Sequence, residues 1–223
     1  SLPGGGGMHL VEDAMWIRPL GAHYALGLDG IGATLVLLAS IVTPVVVLAT
    51  WGDYDRGPLP AGAHRQAGEA ARYDSKVFYA LVLAVQTCAL YLFLSTDVFL
   101  FYVFFEVILV PMYFLIGGFG PGARRSYAAA KFLIFGLLGG FVMLASVIGL
   151  YVASADAGTP SYLLSDLAGL TFGTGEERWL FLGFMFAFAI KAPLVPLHSW
   201  LPDAAEQSSP GGATMMVGIM DKI

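Results

Sequence analysis

Apolar residues in this chain come in long unbroken runs separated by short polar stretches, not in the alternation of a half-buried strand or the stripe of a surface helix. A bilayer core about 30 Å thick is crossed by roughly 20 apolar residues at about 1.5 Å rise each. Five runs are of that scale, at about 30–51, 77–94, 98–119, 132–153 and 179–200. A sixth begins at 210 and runs to 223, so the chain reads as a piece of a longer bundle. Between the fourth and fifth runs, "YLLSDLAGLTF" predicts a short surface helix, apolar but too short to cross. With no internal repeat and no linker, residues 1–223 are expected to form a single membrane domain, an all-α polytopic transmembrane helix bundle.

Composition agrees with that pattern. The chain is 57% hydrophobic and 12% charged, whereas soluble domains carry about 25% charged residues. The lipid bilayer is therefore its first partner, and no nucleic acid is expected. The net charge of −5 matters less than where the charges sit. With successive loops on alternating sides, one side holds Arg56, Arg65, Arg72, Lys76, Arg124, Arg125 and Lys131. The other holds Arg18 and Arg178 against eight acidic residues. By the positive-inside rule, loops 52–76 and 120–131 are cytoplasmic. Trp51, Trp179 and Trp200 fall at run edges, where interface aromatics belong. The single cysteine, Cys88, lies inside a run and cannot pair within the chain, which leaves it as a small apolar filler. No metal site is expected.

Four charges interrupt the runs: Glu106, Lys191, Asp221 and Lys222. Glu106 lies in "DVFLFYVFFEVILVPMYFLIGGFG", about 14 Å below the surface at Asp97. Lys191 lies in "RWLFLGFMFAFAIKAPLVPLHSW", about 18 Å below the same surface counted from Trp179. Opposite charges at similar depth are expected to meet near the midplane, and intramembrane charges usually mark ion pathways. The alternative is a buried pair that only fixes helix register, although such a pair is weak evidence for stability. Prolines 193, 196 and 202 follow Lys191, each without an N–H, so the helix is predicted to break beside the lysine. Carbonyls freed at membrane depth must be buried in protein or line a hydrated cavity. His198, seven residues on, shares the face of Lys191 if helical continuity persists, and is a possible relay or an interface anchor. In the last run, Ser209 and Pro210 read as N-cap and first helical residue. They place Lys222 about 18 Å in from the cytoplasmic side if the helix is continuous, or at a surface if it is short.

At an effective dielectric near 20, opposite charges about 4 Å apart attract by about 4 kcal/mol. A change in the Glu106–Lys191 spacing would therefore move a proton, for instance from Lys191 toward Lys222 through water.

The motifs "FYVFFEVILVPMYFLIGGFG", "AAAKFLIFGLLGGFVML" and "FAIKAPLVPLHSWLPDA", in that order, resemble the antiporter-like subunits of respiratory complex I. The resemblance covers 97–223, and "YALGLDGIG" upstream is similar to the family's entry into its third helix. It implies about fourteen helices in two inverted repeats, one helix broken, with most of the first repeat present here. It also implies that Glu106 and Lys191 are the family's glutamate–lysine pair and Lys222 its central lysine, all serving proton translocation. NAD, FMN, iron-sulfur clusters and quinone would belong to partner subunits, leaving no cofactor in this chain. Its protein partners would be other membrane subunits of the complex, especially neighbouring antiporter-like ones, in a bacterial plasma (inner) membrane. A subunit of a multi-component cation/proton antiporter or membrane-bound hydrogenase, or a structural scaffold, are the alternatives. Two departures stand out: Ala205 and Glu206 where many members carry a loop histidine, and Asp221 beside Lys222.

Overall fold

The computed structural model describes residues 8–52, 75–158 and 160–223. It opens on an antiparallel hairpin of β1 (His9–Ile17) and β2 (Ala22–Leu28). Nine helices follow among the described residues: α1 (Gly30–Ala49), α2 (Ser75–Leu94), α3 (Val98–Val107), α4 (Leu109–Phe119), α5 (Arg125–Asp156), α6 (Leu164–Leu167), α7 (Thr174–Lys191), α8 (Trp200–Gln207) and α9 (Pro210–Gly218). The helical membrane bundle is thus present, with the hairpin added. The strands had gone unread because β1 is exposed nearly throughout and gives no one-sided apolar alternation. Their reversal is closed by Gly21 at φ 62°, in the left-handed region that glycine enters freely.

The helices start where the sequence supplies caps. Asp29 accepts from the Gly32 amide at 2.6 Å to begin α1, and Asp97 from the Leu100 amide at 2.8 Å to begin α3. Ser209 accepts from Gly212 at 3.2 Å with Pro210 in the first turn of α9, as the sequence suggested.

Among the described residues, four segments are long and apolar enough to cross a membrane: α1, α2, the combined Val98–Phe119 segment, and α5. The expected boundaries shift at several of them. The 98–119 run is interrupted at Ile108, because Pro111 has no N–H for the Val107 carbonyl. The 132–153 run is embedded in α5, which extends to 32 residues, since "RSYAAAK" before it and "SAD" after it continue the helix. The 179–200 run ends as a helix at Lys191, and α7 begins earlier, at Thr174. The 210–223 run is helical only to Gly218, followed by a 3-10 turn over Met220–Lys222.

Alternate loops do gather on common sides. On one, the Thr96 amide donates to Ala25 of β2 and its carbonyl accepts from Leu164, while Val98 donates to Tyr162. The hairpin, the 95–97 turn and the α5–α7 loop are thereby joined, and that loop carries α6 as a single short helix turn. On the other, the Arg124 amide donates to Gln207 Oε1 at 3.1 Å, and Lys131 pairs with Asp203 at 2.7 Å. Residues 53–74, most of the loop read as cytoplasmic, lie outside the described residues.

α5 packs against α3, α4, α7 and α8. Its glycines let backbones approach: a Cβ on Gly139 would touch Ala187 and Ile190 of α7. The interior is filled by Phe78, Val82, Ile108, Met112, Leu115, Met143 and Met215. Outward stripes such as Ile31, Leu37, Leu48, Ile134 and Phe141 are exposed in this chain, as a lipid- or subunit-facing surface requires. Trp51, just past α1, and Trp179, in the second turn of α7, are exposed. Trp200 is not an interface residue: the break before it turns it inward, where it is 2% exposed and packs on Phe132.

Candidate functional site

The break after Lys191 follows from bonds that proline cannot make. Pro193 has no N–H for the Ala189 carbonyl. The Leu194 amide takes that carbonyl instead, at 2.9 Å, one residue beyond the α-helical register. This leaves the Ile190 carbonyl, which accepts from the Trp200 indole N–H at 2.9 Å. The chain then passes Pro196, turns through a 3-10 segment at Leu197–Ser199 and re-enters a helix at Trp200. Lys131 Nζ donates to the Ser199 carbonyl at 2.7 Å while holding Asp203, which fixes the far side of the break. A freed backbone carbonyl inside the bundle is thus satisfied by protein, as membrane depth demands.

Lys191 is the last residue of α7 and is 4% exposed. Its ammonium donates to the Phe105 carbonyl at 3.4 Å and sits 4.4 Å from the centre of the Phe105 ring, a cation–π contact. Phe105 immediately precedes Glu106, so lysine and glutamate do reach the same level of the bundle. They do not form the close ion pair: among the described residues no Lys191–Glu106 contact falls within 4.0 Å. Glu106 Oε1 is buried and accepts no hydrogen bond. The carboxylate faces α5 at Gly140, where any Cβ would collide with it. Glycine at that position is the niche that lets a glutamate point between helices.

A layer of aromatic rings lies beside the lysine. Phe101, Phe105 and Phe188 pack mutually, with centroids 6.0, 6.2 and 6.2 Å apart. On the hairpin side of this layer is a cavity of about 410 Å3 lined by Asp97, Phe101, Leu164, Phe184 and Phe188 among others. Asp97 at its edge is 1% exposed and accepts from the His23 and Leu100 amides. Burial pushes its carboxyl above the usual carboxylate range, against those hydrogen bonds. Neither the aromatic layer nor this cavity was read from the sequence, where the phenylalanines look like any others in an apolar run.

The other two candidates lie elsewhere. His198 is exposed in the 3-10 segment. The helical continuity needed to put it on the face of Lys191 is lost at Ala192, so the shared face does not form. Lys222 is exposed on the turn after α9, not at the centre of a continuous helix, while its neighbour Asp221 has a buried, unpartnered Oδ1. The sequence pointed to Asp221 only as a departure from the family pattern.

Residues 95–223 match the family described as NADH:quinone oxidoreductase/Mrp antiporter, TM. NADH-quinone oxidoreductase subunit M of Mycobacterium tuberculosis is 47% identical over 232 residues, covering 96% of this chain and 42% of that protein. F(420)H(2) dehydrogenase subunit M of Methanosarcina mazei is 33% identical, over 94% of this chain and 40% of its own length. Among solved structures, a chain of respiratory complex I from Thermus thermophilus with bound NADH superposes with a TM-score of 0.76 at 32% identity, covering 97% of this chain and 42% of that one. A chain of the Mrp complex from Dietzia sp. DQ12-45-1b gives a TM-score of 0.69 at 25% identity, over 97% of this chain and 36% of that one. The chain thus spans about two fifths of the length of the curated relatives it matches.

Proposed function

The chain belongs to the NADH:quinone oxidoreductase/Mrp antiporter transmembrane family, and on that premise we propose that it is a proton-translocating membrane subunit of an NADH-quinone oxidoreductase. The observation that carries this reading is Lys191: an ammonium buried at the end of a broken membrane helix, level with Glu106 and not locked to it. A purely structural pair gains by close contact and full hydrogen bonding. Here the lysine makes one long hydrogen bond and the glutamate keeps a buried oxygen free, an arrangement suited to changing partners.

In this reading Glu106 and Lys191 hold and exchange protons. Their separation sets the charge state of each, because in a poorly polarisable interior each charge favours its opposite. Lys222, on the turn that follows α9, is the next proton carrier. His198, on the exposed segment, contributes as an interface anchor. NAD, FMN, iron-sulfur clusters and quinone are held by partner subunits, and neighbouring antiporter-like subunits cover the exposed apolar stripes. The membrane is a bacterial inner membrane with residues 52–76 and 120–131 on its cytoplasmic side.

A second reading, a subunit of a cation/proton antiporter of the Mrp type, is favoured by the Dietzia likeness over the same helices. Inverted membrane vesicles containing the full complex separate the two. NADH-driven quinone reduction accompanied by proton uptake, with both lowered in Lys191→Ala at unchanged assembly, is expected. Co-purification without any NADH-oxidising subunit would favour the antiporter. An assembled Lys191→Ala complex that pumps as many protons per electron as the parent would leave the lysine a packing element and defeat both.

A further inference from the structure

Resting on the reading of Lys191 as a proton carrier, we infer that Lys131 is a positioning residue for that lysine: a clasp on α5 that holds the broken helix from beyond its break and so fixes where the Lys191 ammonium stands. α5 runs unbroken over Arg125–Asp156 and passes both ends of the break. Before the break, a Cβ added to Gly139 would touch Ala187 and Ile190 of α7, so the two helices are closely apposed there. Beyond it, about 12 Å along α5, Lys131 Nζ donates to the Ser199 carbonyl and to Asp203 Oδ2, both at 2.7 Å. The next residue, Phe132, is 2% exposed and packs on the Trp200 ring at 5.4 Å. Trp200 in turn donates its indole N–H to the Ile190 carbonyl at 2.9 Å, one residue from Lys191.

Each link is a hydrogen bond or a ring contact, and together they run from α5 through the segment after the break to the carbonyl beside the buried ammonium. An ion pair on a protein surface ties two side chains and usually contributes little. This one differs in two ways. Its partners are only partly exposed, at 22% for Lys131 and 31% for Asp203. The same ammonium also grips a backbone carbonyl in the 3-10 segment, past the stretch where Pro193 and Pro196 lack the donors that would carry position from α8 back to α7. At 2.7 Å the bonds lie in the short range of charge-assisted pairs, which are the strong ones. A residue that spans the break with such bonds stands in for the missing ladder. Lys131 thereby sets the spacing between Lys191, at the end of α7, and Glu106, held in its niche on α3, although its own bonds go to Ser199 and Asp203.

The test uses the intact complex in inverted vesicles. Proton uptake per NADH oxidised is the readout, a ratio that a mere loss of assembled complex leaves unchanged. Lys131→Met keeps most of the side chain's length and removes both bonds, whereas Lys131→Arg restores charge and donors. A several-fold fall of the ratio in Lys131→Met, with most of it recovered in Lys131→Arg, is expected. A parental ratio in assembled Lys131→Met overturns the inference, and so does a loss that Lys131→Arg shares in full. Lys191→Ala is measured alongside. If it loses pumping while Lys131→Met does not, the clasp fails and the reading of Lys191 stands. If Lys191→Ala also pumps normally, the underlying reading fails first. Should Lys131→Met not assemble, Lys131→Gln and Asp203→Ala are measured in its place. Failure of all three to assemble shows that the pair serves the fold and overturns the inference.

Discussion

Two membrane helices of this chain are broken by proline, and they break differently. In the α3–α4 segment the fault is one residue wide: Ile108 still donates to Phe104 at 3.2 Å and Met112 to Ile108 at 3.4 Å, so the ladder resumes at once. Beyond Lys191 the ladder does not resume until Trp200, because Pro193 and Pro196 remove two donors within four residues. Glu106 precedes the first break by two residues, with its backbone still helical and its side chain held in a glycine niche. Lys191 ends its helix, with helical backbone on its N-terminal side only. The carboxylate is positioned by the helix opposite it, the ammonium by the place where its own helix stops. Of the two, the lysine has the freer backbone, so a movement that alters their spacing is more readily made by α7 and the loop that follows it than by α3.

The sharpest way to break this comparison is to remove the ring that lines the cavity and packs on Phe105, the residue that holds the Lys191 ammonium. Phe188→Ala deletes one side of the Phe101–Phe105–Phe188 layer. Truncating a packed phenylalanine costs about 3–5 kcal/mol when fully buried, and somewhat less here because Phe188 is only partly so. A raised passive proton conductance of the resting vesicles is expected alongside the lower stability, measured as faster decay of an imposed pH gradient. An unchanged leak would mean the layer is packing and no barrier.

Next in size is Gly140→Val. The added side chain must occupy the space of the Glu106 carboxylate. Overpacking of this kind costs about 1–3 kcal/mol, and the displaced carboxylate should lower pumping as Glu106→Gln does. Adding Gly140→Val to Glu106→Gln should then cost little further pumping, since residues acting through one group are not additive. Full additivity in that double variant would separate the glycine from the glutamate.

What was legible in the sequence divides along the same line. Runs of apolar residues give the spans, because membrane length is a property of composition. Prolines 193 and 196 beside a lysine give the second break, because a missing donor is a local fact. Pro111 carried the same signal for the first break, but an uninterrupted apolar run masked it. The niche at Gly140, the aromatic layer and the buried face of Asp221 depend on the register between helices far apart in sequence, which no local pattern encodes. Trp200 was misread for that reason: position along the run suggested an interface, whereas the break redirects it to the Ile190 carbonyl.

Trp200→Phe isolates that redirected bond. The ring stays to pack on Phe132, but the indole N–H is lost and the Ile190 carbonyl is left without a donor. A loss of about 1–3 kcal/mol is expected, visible as a lower midpoint in detergent unfolding. Because the bond closes the end of α7, a fall in pumping per electron should accompany it. A stability loss with pumping intact would show that Lys191 is held by α7 alone.

The smallest effect is expected at the first break. Pro111→Ala supplies an N–H that reaches the Val107 carbonyl, and a hydrogen bond made in this way is worth about 0.5–1.5 kcal/mol net. Part of that gain is offset by the entropy of the more flexible unfolded chain. The segment should therefore straighten over one residue with stability changed by less than about 1 kcal/mol. Glu106 lies before the fault and is held by Gly140, so pumping should survive. Pro193→Ala is the matched control: it returns a donor to Ala189, competes with the Leu194 amide, and draws the ladder on past Lys191. If the first substitution is silent and the second lowers pumping, the work of the broken helix lies in ending at the lysine. If both are silent, neither break matters and only the buried charges do. If Pro111→Ala is the more damaging, the fault beside Glu106 is the moving part and the assignment of mobility to α7 is reversed.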